Sequence, residues 1–158
     1  MKTVRIGFIP LVDAATLLMA VHKGFAAEEG LDVQLVREVS WSNIRDKLAI
    51  GLFDAAHLLA PMAVASNLGL GHVKAPLVSP ISLAMNGNAI TLSRKLFLEL
   101  QDVSKDRLSD PAISAKALKE IIRTLAEHGD EPLTFGMTFP FSMHNYELRY
   151  WLAEGGID

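Results

Sequence analysis

The sequence predicts an α/β fold with a parallel sheet, because short strand patterns alternate with helical patterns through the first 70 residues. Residues 4–9 form an apolar run rich in β-branched side chains, which is typical of a buried strand. Residues 31–36 alternate apolar and polar side chains, and residues 54–59 form a third short apolar run. A helical pattern follows each of them, so we expect parallel strands joined by helical crossovers.

Residues that favour helix ends predict where these helices begin and stop. Asp13 is expected to cap the first helix, which ends at Gly30 because glycine suits the left-handed position after a helix. Ser40 or Ser42 is expected to cap the second helix. Pro61 falls where the first turn of the third helix tolerates it.

The composition of the sequence changes between residues 70 and 89, where glycine, proline and asparagine are interleaved with short β-type runs. Such a segment is typical of a crossing between two lobes. The sequence therefore predicts a first α/β lobe over residues 1–85 and a partial second α/β lobe over residues 86–158.

The second lobe is expected to contain two strands, over residues 89–92 and 133–139. Its apolar periodicity and its caps predict three helices, over residues 94–100, 110–128 and 142–153. Two strands are few for a sheet, so the second lobe is expected to be incomplete.

Composition excludes several classes of function. Lys plus Arg number 15 against 18 Asp plus Glu, a formal net charge of −3, and no basic run of five occurs, so direct nucleic-acid binding is not expected. The acidic balance opposes binding to anionic lipid, and no apolar stretch reaches the roughly 18 residues of a membrane span. The chain has no cysteine, which excludes disulfides, thiol nucleophiles and cysteine-ligated zinc.

The two ends of the sequence lead to predictions about localisation and completeness. The first residues enter a strand pattern with no apolar leader region, which predicts a cytoplasmic protein; the alternative is a periplasmic protein whose leader has been removed. Residues 156–158 are typical of the middle of a helix-to-strand connection, so the chain either stops early or is a fragment.

Three short segments are candidates for ligand binding, and each follows a predicted strand. Open α/β sheets bind ligands at the carboxyl ends of their strands, and helix N-termini attract anions. Catalytic motifs of hydrolases and nucleotide-binding loops do not occur. The candidates are Trp41 with Ser40 and Asn43, His57, and His144 with Ser142 and Asn145.

Each candidate also has a structural explanation. A lone tryptophan such as Trp41 is often core packing, and His57 could be a buried histidine with its hydrogen bonds satisfied. Ser142 and Asn145 are also explained by helix capping. Their shared position after strands in both lobes is what favours a binding role.

Several longer runs resemble the nitrate/bicarbonate-type substrate-binding proteins of ABC transporters. The resemblance covers nearly the whole chain outside residues 96–130. The runs that carry it are VRIGFIPLVD (residues 4–13), KGF (23–25), EGLDV (29–33), SWSNIRDKL (40–48), and FPFSMHNY (139–146).

The resemblance implies a type II periplasmic-binding-protein-like fold, with two lobes and mixed, mainly parallel sheets that close on a small anion. It also implies that Trp41, His57 and His144 contact the ligand, without a cofactor or metal. The family often has glutamine at the position of His57. It usually has threonine where this chain has Met143, which removes a hydroxyl near the site.

The resemblance implies that the protein binds nitrate or nitrite, and bicarbonate is a further candidate ligand. The partner would be an ABC permease, in transport, or an RNA-binding antiterminator, since some relatives without a leader are cytoplasmic nitrate sensors. Residues 36–41 and 53–61 resemble that sensor branch more closely than the transporter branch. Neutral donors such as indole and imidazole favour a weakly hydrated monoanion over phosphate.

The alternative function is that of an enzyme like those of thiamine-pyrimidine biosynthesis, which share the broad fold. Against it, the sequence shows no cysteine and no histidine paired with a carboxylate at catalytic spacing.

Overall fold

The computed structural model describes residues 1–70, 74–85, 87–105 and 107–158. The chain divides into two compact units, Met1–Gly87 and Asn88–Asp158. The lobe boundary expected after residue 85 stays a prediction, and residue 86 lies outside the described residues.

Unit 1 is built on a three-stranded parallel sheet. Its strands are β1 (Lys2–Phe8), β2 (Leu31–Arg37) and β3 (Ala55–Ala56), in the order β2-β1-β3. The predicted parallel arrangement is therefore confirmed. The third strand is shorter than expected, because only two of its residues pair in register with β1.

Among the residues of unit 1 that the structure describes, four α-helices follow the strands, and two of their predicted starts are confirmed. They are α1 (Ala15–His22), α2 (Phe25–Glu28), α3 (Trp41–Ala49) and α4 (Ala60–Leu68). Ser40 caps α3 through its hydroxyl oxygen, and a proline lies in the first turn of α4.

The expectation that Asp13 caps one continuous helix is wrong. Asp13 lies inside a short 3-10 turn, Val12–Ala14, and α1 begins without a side-chain cap. The helical segment breaks at Gly24, whose φ of 83° is left-handed, and resumes as α2. The physical reason for the missing cap is that the Asp13 carboxylate is paired with His57 instead.

The described part of unit 2 contains three helices packed around a separate core. They are α5 (Arg94–Ser104), α6 (Pro111–His128) and α7 (Met143–Glu154). The predicted caps Asp110 and Ser142 both accept a hydrogen bond from the first turn of their helices. The largest buried side chains of this core are Leu100, Leu118, Ile121, Leu148 and Trp151. None of the helices in the described ranges combines the length and apolar character needed to cross a membrane.

The two strands predicted for the second lobe are wrong, since the described part of unit 2 contains no strand. Residues 89–92 and 133–138 form neither helix nor strand and make no backbone–backbone hydrogen bond among the described residues. Leu92, Leu133 and Phe135 still pack against the helical core, as the apolar pattern predicts. A strand needs a neighbouring strand as well as an apolar face, and here no neighbour pairs with either segment.

Candidate functional site

The candidate site of unit 1 lies at the carboxyl edge of its sheet. Because the three strands are parallel, the chain leaves each of them at the same edge. Asp13 follows β1, Trp41 follows β2 and His57 follows β3. The topology therefore brings together side chains that are far apart in sequence, which is the position where open α/β sheets hold ligands.

His57 is the centre of this cluster. Its side chain is 4% exposed, and its Nε2 atom lies 3.1 Å from Oδ2 of Asp13. Its backbone N–H donates to the Gly7 carbonyl at 2.9 Å, which continues the ladder beyond β3. The Trp41 ring, 7% exposed, meets the imidazole edge-on with 5.1 Å between centroids. The histidine is thus held from three elements.

Three buried side-chain atoms of the described residues have no hydrogen-bond partner: Oδ1 of Asp13, Nδ1 of His57 and Nδ1 of His144. Two of them belong to the two histidines that the sequence proposes as ligand contacts. A buried polar atom without a partner is unfavourable by about 1–3 kcal/mol and is uncommon in native structures. These atoms therefore mark places where a group from outside the chain would be stabilising.

The start of α3 is held by a polar network that sequence reasoning missed. Glu38 is 5% exposed, and it accepts from Asn43 Nδ2 at 3.3 Å and from Lys47 Nζ at 2.5 Å. The Asn43 backbone N–H donates to Ser40 Oγ at 3.2 Å. The predicted supporting residues Ser40 and Asn43 thus make structural hydrogen bonds that orient the first turn of α3, next to Trp41.

Asp13 is the main residue of the site that the sequence did not assign to it. The expectation of no histidine–carboxylate pair is wrong, because Asp13 and His57 form one. Their separation of 44 positions gives no local signal. Their proximity could be predicted only from the strand order, since both residues follow strands that neighbour each other in the sheet.

His144, the predicted contact in the second half of the chain, lies in unit 2. It lines an open groove of about 580 Å³, whose walls include residues 88–93 and 133–138. The side chain is half-buried, and its Nδ1 atom has no partner. Glu147, one turn along α7, is an exposed acidic residue that lines the same groove.

Ser142 and Asn145, the predicted supporting residues of unit 2, are engaged within the fold. The Ser142 hydroxyl donates to the Phe139 carbonyl at 2.6 Å and accepts from the Asn145 N–H at 3.2 Å. The Asn145 amide donates to the Pro140 carbonyl at 2.7 Å. These bonds fix the first turn of α7, which carries His144.

The groups whose pKa values are shifted lie outside the clusters around His57 and His144. A hydrogen bond with Glu154 raises the pKa of exposed Tyr150, and a hydrogen bond with Glu120 raises the pKa of exposed Arg123. Among the described residues, no group of three histidine, aspartate or glutamate side chains is arranged to hold a metal ion.

Comparison with known proteins defines the family. The model of the NMT1-like family matches residues 1–158, the full sequence. The chain belongs to the NMT1-like family. It is 42% identical over 155 residues to the nitrate import ATP-binding protein NrtC of Synechocystis sp., covering 97% of this chain. It is 41% identical over 98% of its length to the bicarbonate transport ATP-binding protein CmpC of the same organism.

A binding protein is among the relatives as well. The nitrate/nitrite binding protein NrtA of Nostoc sp. is 38% identical over 98% of this chain. The predicted resemblance to nitrate/bicarbonate transport proteins is therefore confirmed. The chain spans 21% of NrtC and of CmpC and 33% of NrtA, so it corresponds to a part of each relative. All three names describe binding or transport.

Proposed function

We propose that the chain binds a small oxyanion, nitrate or nitrite, and that Trp41, His57 and His144 contact it. The observation that supports this most directly is the pair of unpartnered imidazole nitrogens, Nδ1 of His57 and Nδ1 of His144. A buried imidazole nitrogen is a donor when it carries a proton, and an oxyanion is the complementary acceptor.

The start of α3 adds donors to those of His57. The first amide N–H groups of a helix have no acceptor within the helix, and the helix dipole places partial positive charge there. The Asn43 N–H donates to the Ser40 hydroxyl, and the other N–H groups of the first turn are the ones that an anion would use. The flat Trp41 ring beside His57 suits a planar ligand such as nitrate.

The carboxylates near these donors restrict the charge of the ligand. Asp13 contacts His57, and Glu147 lines the groove of His144. Fixed negative charge opposes a dianion more strongly than a monoanion. The composition of the site therefore supports nitrate or nitrite over phosphate, with bicarbonate as the third candidate anion because of the relative named for bicarbonate transport.

The biological role depends on which partner protein recognises the anion-bound form. A substrate-binding component that delivers the anion to an ABC permease is favoured by the names of the relatives. A cytoplasmic nitrate sensor that pairs with an RNA-binding antiterminator is the second candidate, and it rests on the resemblance of residues 36–41 and 53–61. Co-purification with each type of partner, with and without nitrate, tests the two roles.

The binding proposal is tested by titrating the 158-residue chain with sodium nitrate, sodium nitrite and sodium bicarbonate. Indole fluorescence and titration calorimetry are followed in parallel, because Trp41 lies against His57 and Trp151 lies in the core of unit 2. We expect saturable binding of nitrate or nitrite, and loss of the fluorescence change in Trp41→Phe.

Matched histidine variants identify the contacts. His57→Ala and His144→Ala are expected to weaken nitrate binding by about tenfold or more, since each removes a donor to a charged acceptor. His128→Ala is the control, because His128 is exposed at the end of α6. Chloride at equal ionic strength controls for screening. Absence of a saturable response to all three oxyanions at millimolar concentration would contradict the proposal.

A further inference from the structure

The pairing of His57 with Asp13 fixes which imidazole nitrogen carries a hydrogen. Nε2 lies 3.1 Å from a carboxylate oxygen, and a carboxylate only accepts hydrogen bonds. A lone pair at Nε2 would repel that oxygen, so Nε2 is the N–H of the ring. The state of the second nitrogen, Nδ1, is then the only variable of the imidazole.

Nδ1 has opposite preferences in the two states of the ring. In the neutral imidazole with a hydrogen on Nε2, Nδ1 is an acceptor; in the imidazolium it is a donor. Nitrate and nitrite offer only acceptor oxygens. An anion of this kind therefore cannot pair with Nδ1 until a proton is added there, whereas the hydroxyl of bicarbonate can donate to the neutral ring.

The charges around His57 are suited to that added proton. Asp13, from the 3-10 turn after β1, is the charged side chain in direct contact with the imidazole among the described residues. From α3 the ring meets the neutral Trp41, while Glu38, which precedes α3, and Lys47, which lies on it, are paired with each other. From β1, only the Gly7 carbonyl bonds to His57, at its backbone. The Asp13 carboxylate is thus placed to balance an imidazolium.

We propose that nitrate binding at His57 is coupled to uptake of one proton at Nδ1, and that Asp13 is the positioning residue that makes this possible. The inference rests on the proposed function. Asp13 holds the ring through Nε2 and compensates the charge of the imidazolium, so that nitrate and its proton enter together without a change in net charge. Because Nδ1 is buried, entry of the anion requires a neighbouring group to move, and Trp41 is the ring in contact.

Proton uptake is measured directly by calorimetry of the intact chain. Nitrate is titrated at about pH 8, where a free histidine is mostly neutral, in buffers with different enthalpies of ionisation. We expect the observed heat to depend on the buffer with a slope of about one proton taken up per nitrate. The association constant should fall as the pH rises, because binding consumes a proton. Bicarbonate is expected to bind without this uptake.

Three variants separate the role of the pair from a general effect on folding. Asp13→Asn keeps the shape but removes the compensating charge, and we expect nitrate to bind about tenfold more weakly. Asp32→Asn makes the same charge change at an exposed site on β2 and should leave binding unchanged. His57→Gln supplies an amide donor that needs no proton, so it should bind nitrate without uptake.

Imidazole ¹⁵N resonances provide a second readout. Addition of nitrate should convert Nδ1 of His57 from an unprotonated to a protonated nitrogen, and the resonance is assigned by its absence in His57→Gln. Nitrate binding with the same heat in every buffer would overturn the inference and leave the proposed function standing. Absence of nitrate binding between about pH 5.5 and 8 would overturn the proposed function itself.

Discussion

Side chains near the sheet edge and in the helical core are governed by a single rule, that buried polar atoms need partners. His57 illustrates one outcome, since its Nε2 has the Asp13 carboxylate while its Nδ1 has none. Trp151 illustrates the other, because its buried indole N–H donates to the Ser114 hydroxyl at 3.0 Å. The satisfied pair stabilises the fold, and the unsatisfied atom is available to a ligand.

Removing the acceptor of Trp151 should therefore be destabilising. In Ser114→Ala the indole N–H stays buried without a partner, and we expect the free energy of unfolding to fall by about 1–3 kcal/mol. Urea unfolding followed by circular dichroism measures it. Ser93→Ala is a control that removes the exposed cap of α5 and should have a smaller effect, of about 1 kcal/mol. Equal stability of Ser114→Ala and the parent would contradict the role of this bond.

Residue roles could be predicted from the sequence where they depend on nearby residues. Ser40, Asp110 and Ser142 cap helices as expected, because capping involves residues only two or three positions apart. Asp13 could not be assigned in the same way. Its choice between capping a helix and binding His57 depends on which strand lies beside β1, which is a property of the sheet.

Secondary structure could likewise be predicted where it depends on nearby residues, and not where it depends on distant ones. The first two strands and the helices α3 to α7 follow from apolar periodicity and from turn residues. The segments 89–92 and 133–138 have an equally suitable apolar pattern, yet they form no ladder. Periodicity predicts which face of a segment is buried; it does not predict that a hydrogen-bonding neighbour exists.

Hydrogen exchange tests this description of the two segments. Backbone amides without a protein acceptor exchange rapidly, and we expect residues 89–92 and 133–138 to exchange near the rate of an unstructured chain. Residues of β1, the central strand of the sheet, should be protected. The measurement is amide exchange followed by NMR or mass spectrometry. Protection of residues 133–138 comparable to that of β1 would show that they are paired.

The packing of α6 against the end of α7 depends on a glycine. A Cβ atom at Gly155 would lie 2.5 Å from the carbonyl oxygen of Ala115, which is backbone and cannot easily move. We expect Gly155→Ala to lower the free energy of unfolding by about 1–3 kcal/mol through overpacking. Thermal unfolding is the measurement. Gly136→Ala, where a Cβ would meet nothing within 4 Å, is the matched control and should be close to neutral.

At the scale of the whole molecule, the two units differ in architecture and in the way each presents its histidine. Unit 1 places His57 at the edge of a parallel sheet, and unit 2 places His144 at the first turn of a helix beside an open groove. Each unit has its own compact set of contacts. A ligand stabilises any folded unit that it needs for binding, by mass action, so stability reports which units take part.

Nitrate should therefore slow the opening of both units. Slowly exchanging amides of β1 report on unit 1 and those of α6 report on unit 2. At nitrate about 100 times its dissociation constant, a unit required for binding gains up to about 2.7 kcal/mol, which slows exchange by as much as about 100-fold. Sodium chloride at the same ionic strength is the reference. Slowing of β1 with no change in α6 would remove His144 from the proposed contacts, and the reverse result would remove Trp41 and His57.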